Sequence, residues 1–131
     1  MATLTDNMKE LIQSGRCLIA TSSIEGWPNV GPKGSVRVVD DTTIAFGELT
    51  ARQTYSNLKE NPKVAIAVVD YEKREGYRFV GTASLETSGD LYDVFVQRYR
   101  KMNLPPPAAA VRVKLEAVYS LSGKNAGVKI S

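Results

Sequence analysis

Two short stretches carry the side chains that could do chemistry. Gly26–Ser35 reads GWPNVGPKGS, and Leu49–Leu58 reads LTARQTYSNL. The first has the outline of a phosphate-cradling loop: a glycine, four residues, a second glycine, then a lysine and a serine nearby. That chemistry needs Gly-Lys-Ser/Thr in direct succession and a helix opening behind it. Here Pro32 follows Gly31 and removes a backbone donor, and Gly34 follows Lys33. The continuation, SVRVVDDTTIAF, is rich in β-branched residues and reads as strand. A nucleoside-triphosphate cradle is therefore excluded, and Lys33 needs another explanation. Glycines inside a strand mark either a bulge or a place where a ligand approaches the backbone. Gly31, Pro32, Lys33, Gly34 and Ser35 form such a strip, and both readings stay open on composition alone.

The second stretch reads as a helix start. Thr50 is placed as N-cap, with Arg52, Gln53 and Thr54 in the first turn. Unpaired N–H groups and the positive end of the helix dipole favour an anion there. The Arg52 fork and the Thr54 hydroxyl suit phosphate in particular. Helices that begin this way also occur with nothing bound.

What is missing narrows the chemistry. The chain has no histidine, which excludes His-ligated metals and Ser-His or Cys-His catalysis. Its single cysteine, Cys17, lies in the apolar run RCLIATSS and reads as a core residue. A formal charge of +3 is mild and scattered, unlike the dense stripe of a nucleic-acid binder. No run approaches the ~20 apolar residues of a membrane span. The N-terminus lacks a basic-then-apolar leader, so a reducing cytoplasm is expected. Any reaction then falls to a borrowed cofactor.

The elements that must position these residues follow from punctuation and period. The 131 residues fit one domain. TDNMKELIQSG predicts a helix capped by Thr5 or Asp6 and stopped by Gly15. RCLIATSS, NVGPKGSVRVVD and TTIAFGEL predict three strands joined by short turns, which favours antiparallel pairing. A helix ending at Pro62 and the strands KVAIAVVDYE and GYRFVGTASLET follow, the last with an irregularity at Gly81. SGDLYDVFVQRYRKMN predicts the longest helix, capped by Ser88 with Leu91, Phe95 and Met102 in one row. VRVKLEAVYSLS is the sixth strand, with Val111, Val113 and Leu115 on one face. The fold class expected is mainly β: a small antiparallel barrel with peripheral helices.

The order of these segments adds a resemblance. PNVGPKGSVRVVDDTTIAF followed by ARQTYSNLKENPKVAIAV resembles the pyridoxamine 5′-phosphate oxidase-like, FMN-binding split-barrel family, in its short single-domain members. It runs from about Cys17 to Val69, with compatible elements to about Ser120. The resemblance implies a six-stranded antiparallel split barrel and a homodimer with FMN at the subunit interface. It implies that Gly31, Pro32, Lys33, Gly34 and Ser35 run beside the isoalloxazine ring. It also implies that Thr50, Arg52, Gln53 and Thr54 hold the phosphate, Gln53 standing where some members carry Lys. Trp27 could cover the flavin of the other subunit. A Lys33 cation near the ring's N1–C2=O edge would raise the flavin potential; at ~4 Å and an effective dielectric near 20 such a pair interacts by about 4 kcal/mol. Pyridoxamine-phosphate oxidation itself is not expected, because the C-terminal stretch GKNAGVKIS lacks the Arg and His substrate groups. The function implied is an oxidoreductase or electron-transfer flavoprotein. The alternatives are a flavin-storage or ligand-sensing module and a deazaflavin-dependent reductase.

Overall fold

In a computed structural model that describes residues 2–131, the strands form one antiparallel sheet. The strands are β1 (Cys17–Ser22), β2 (Pro28–Lys33), β3 (Arg37–Asp40), β4 (Thr43–Glu48), β5 (Lys63–Asp70), β6 (Glu75–Glu86) and β7 (Ala109–Ser120). Their order across the sheet is β2-β1-β5-β6-β7-β4-β3. The two edge strands, β2 and β3, are thus consecutive in sequence, joined only by residues 34–36. Laid flat, seven strands would hold the edges about 29 Å apart. The link from Lys33 to Arg37 can span at most about 14 Å. The sheet must therefore curl until its edges meet at a seam, which is the split barrel expected.

The strand count differs from the six expected. NVGPKGSVRVVD is not one strand but two, on opposite edges. The break falls at Gly34–Val36, where the Ser35 hydroxyl accepts the Gly47 N–H at 3.0 Å and turns the chain from one edge to the other. Elsewhere the periodic runs become the strands predicted. The irregularity at Gly81 is a register shift between β6 and β7. A Cβ at Gly81 would run into the Lys114 carbonyl, so this position tolerates only glycine.

Three α-helices flank the barrel: α1 (Asp6–Gln13), α2 (Gln53–Glu60) and α3 (Asp90–Lys101). Thr5 caps α1, accepting from the Met8 N–H at 3.3 Å, and Met8, Leu11 and Ile12 turn inward. The barrel core gathers Ile19, Ile44, Phe46, Ile66 and Phe79 with Leu58 of α2. A smaller cluster forms where Leu91, Phe95 and Tyr99 of α3 pack on Ala45 and Ala110. Tyr99 therefore completes the buried row of α3; Met102 was the residue expected there, but it lies beyond the helix end and is 51% exposed. Ser88 is not the cap of α3 either: Gly89 holds that position at a φ of 96°. Covered by α3 outside and the core inside, β4 is buried along its whole length. Cys17 is buried, and desolvation pushes its thiol up to about 11. Among the described residues no helix is long and apolar enough to cross a membrane.

Candidate functional site

β2 is an edge strand, which is why it tolerates Pro32 and two nearby glycines without breaking a central ladder. A Cβ built at Gly31 or Gly34 meets no atom within 4 Å. Packing within the chain therefore does not require glycine at either position. Beyond Gly31 the strand runs into the seam. There Lys33 Nζ lies 2.8 Å from Oε2 of Glu48, whose side chain is 3% exposed. Among the described residues that oxygen is the one buried side-chain polar atom without an aligned hydrogen bond, so Lys33 meets it as a charge partner. Ser35, one turn of chain later, donates to the Gly47 carbonyl at 3.4 Å as well as accepting its N–H. Its hydroxyl is committed to the fold. Pro32, Lys33, Gly34 and Ser35 line an open cavity of about 310 Å³ together with Tyr99 and Leu104. Gly47 is needed there, since a Cβ would overlap the Tyr99 hydroxyl.

The second segment departs from the expectation at its first residue. Thr50 does not cap α2. Ala51 turns the chain through a φ of 51°, helical geometry starts at Gln53, and Arg52 occupies the cap position with no side-chain bond to the first turn. Thr50 thus sits too early to reach the orphan N–H groups. The result is an exposed turn, Thr50 to Gln53, ahead of a helix start that no side chain caps. Arg52 is exposed and makes no ion pair among the described residues. Gln53 is less free: its amide donates to Asn57 Oδ1 at 2.7 Å, and Asn57 donates in turn to Thr21 of β1 at 3.0 Å.

The two segments meet. Asn29 Nδ2 donates to Thr54 Oγ1 at 3.2 Å, tying β2 to the first turn of α2. Counting along β2 at ~3.3 Å per residue, Gly31 lies about 7 Å and Lys33 about 13 Å from that junction. Pro32–Ser35 and Thr50–Thr54 are therefore two ends of one surface strip, bridged by Asn29.

Three residues of this arrangement escaped the sequence reading: Asn29, Asn57 and Glu48. Asn57 carries no sequence signal, since a polar residue in a surface helix is ordinary. Glu48 did carry one, as the single charge in the run TTIAFGEL.

Beside the strip the sheet turns an apolar face outward. Leu18 is 46% exposed, Val30 66% and Trp27 74%. Leu18 pairs with Pro32 and Ala20 with Val30, so these side chains share one side of the β1–β2 pair. The same face continues across β5 and β6 into a hollow of about 460 Å³ lined by Ala20, Ala65 and Val80.

Comparison with known proteins gives this geometry its relatives. The family described as pyridoxamine 5′-phosphate oxidase matches residues 4–122. The crystal structure of HupZ from Group A Streptococcus is 36% identical with a TM-score of 0.86, covering 98% of this chain and 99% of that one. An uncharacterized protein of Methanocaldococcus jannaschii is 31% identical over 98% of this chain and 88% of its own length. An FMN-binding protein from Syntrophomonas wolfei shares the fold at a TM-score of 0.77 and 22% identity, covering 88% of this chain and 84% of that one.

Proposed function

Because the chain belongs to the pyridoxamine 5′-phosphate oxidase family, we propose that it binds FMN and works as a homodimeric oxidoreductase or electron-transfer protein. The phosphate rests on Thr50, Arg52, Gln53 and Thr54, and the ring lies along Gly31, Pro32, Lys33, Gly34 and Ser35. The observation that carries this reading is the Asn29–Thr54 bond, which joins a strip of open glycines to an uncapped helix start.

The residues present fit such a group. Gly31 and Gly34 leave the backbone bare where a flat ring would press, and nothing in the chain uses that space. The first turn of α2 offers unpaired N–H groups beside the Arg52 guanidinium, a donor set suited to a dianion. Arg52 at a positive helix end is otherwise mildly unfavourable, by a few tenths of a kcal/mol, and a phosphate removes that conflict. Asn29 and Thr54 hold the two halves of the strip in register. Ser35 acts through the Gly47 backbone it fixes, and the Gln53 amide is held by the Asn57 side chain rather than free.

When bound, the flavin supplies the redox chemistry, and the chain supplies binding, orientation and the local charge. The exposed apolar side chains Leu18 and Val30 on one face of the sheet, with the exposed Trp27 in the turn before β2, support the homodimer, since water-facing patches of this kind mark association surfaces. A reducing cytoplasm suits the lone buried thiol.

The test is a flavin titration of the purified protein. FMN fluorescence should be quenched at one equivalent per chain. Arg52→Ala should weaken binding roughly 10- to 100-fold, the worth of a charge-assisted hydrogen bond. A wild-type protein that leaves micromolar FMN free defeats the reading. Uptake of a deazaflavin in its place would reassign the cofactor.

A further inference from the structure

We propose that Glu48 is a positioning residue that matches the charge of Lys33 and fixes its ammonium across the seam, so that a cofactor on the β2 strip faces a neutral pair instead of a free cation. The proposal rests on the flavin reading for its consequence at the cofactor.

Glu48 closes β4, the strand covered on both faces, and its side chain is 3% exposed. A carboxylate withdrawn from water in this way needs a cation. The side chain that reaches it belongs to Lys33, the last residue of β2, 2.8 Å away and only 21% exposed. Lys33 and Ser35 thus grip neighbouring residues of β4, Glu48 by charge and Gly47 by two hydrogen bonds. The ion pair joins the end of edge strand β2 to the end of β4, and the serine bonds fix the link that leads from β2 to β3. The lysine that sequence alone presents as a free charge beside the ring is held at its far end and neutralised there. Arg52 is left as the cation of the strip without an ion-pair partner among the described residues. The charge that attracts the cofactor therefore sits at the phosphate end, and the ring end is charge-matched.

A double-mutant cycle with a redox readout tests this. Wild type, E48Q, K33M and K33M/E48Q are compared first without flavin, by denaturant unfolding. Each single change should lower stability, K33M the more because it strands the buried carboxylate, and the double should recover part of the loss. Strictly additive effects would overturn the pairing. The same four proteins are then loaded with FMN and their midpoint potentials measured. E48Q, which releases the lysine charge, should shift the potential upward, and the double variant should return toward wild type. Equal potentials in loaded wild type and E48Q would overturn the proposal while leaving the flavin reading intact. Failure of the wild type to take up FMN would overturn both. Should E48Q alone not fold, K33M/E48Q still decides, since a charge-matched pair predicts a potential close to wild type and a free Lys33 predicts a clear fall.

Discussion

Replacing Gly31 with alanine separates a glycine kept for a ligand from one kept for the fold. At Gly31 the added methyl meets no atom within 4 Å, and the backbone is outside the left-handed region. Folding should therefore gain from the substitution. The unfolded chain loses freedom worth about 0.4–1 kcal/mol, and a domain of this size should melt roughly 2–4 °C higher. Binding should move the other way. A methyl under a stacked ring behaves as overpacking, which costs about 1–3 kcal/mol, or roughly 5- to 150-fold in the dissociation constant. Gly81→Ala is the contrast: its Cβ would overlap the Lys114 carbonyl, with the Lys114 carbonyl carbon at 3.0 Å, so β6 and β7 must separate. It should lose stability by several kcal/mol at a site no ligand is asked to touch. The assay is thermal melting together with FMN fluorescence titration on the three proteins. A Gly31→Ala protein that binds FMN as tightly as wild type refutes the placement of the ring. One that melts well below wild type refutes the claim that the space is open.

Other outcomes follow from single residues. Ala51 occupies a φ of 51°, a region that costs a residue with a Cβ about 1–2 kcal/mol, so Ala51→Gly should stabilise by roughly 0.5–1 kcal/mol in urea unfolding despite glycine's greater chain entropy. Asp40 is held below the ordinary carboxylate value of 3.8, chiefly by the Thr42 N–H it accepts. A depressed folded-state value means that its contribution is present above the unfolded value and lost as pH falls through the folded one. Unfolding curves collected from neutral pH down to pH 2 should show this loss in wild type and not in Asp40→Asn. Cys17 has the opposite sign: with its thiol raised to about 11 from 9.0, stability should fall above about pH 9, where only the unfolded thiol ionises. A thiol reagent should label it only after denaturation.

Much of the barrel was legible because each strand carried its period. The alternation of Val111, Val113 and Leu115 with Arg112, Lys114 and Glu116 fixed both the strand and its inner face, and it is the alternation β7 shows. Gly81 announced its irregularity because it interrupts the alternation of Tyr77, Phe79 and Leu85, and the register of β6 on β7 shifts there. What the sequence could not carry was the closure. NVGPKGSVRVVD reads as one strand because nothing local says that its halves serve opposite edges; that follows only from their partners, β1 for the first half and β4 for the second. The cap of α2 failed for a related reason. Thr50 is a good cap by type, but the backbone reversal at Ala51 delays the helix, and alanine gives no hint of that conformation. The strip residues were legible by type, and the Lys33–Glu48 pairing was not, because it joins residues fifteen positions apart that meet only once the sheet has curled and brought the end of β2 to the end of β4.

The seam has a mechanical consequence. A closed barrel has no weakest line, but this one is fastened along a single join by a three-residue tether, one charge pair and one serine. Anything that grips Pro32–Ser35 also tightens that clasp. A molecule seated there should slow amide exchange along both rims, in β2 and β3 alike, although the rims flank the sheet from opposite sides. Lengthening the tether by two glycines should uncouple them, leaving protection on the β2 rim and letting the β3 rim breathe.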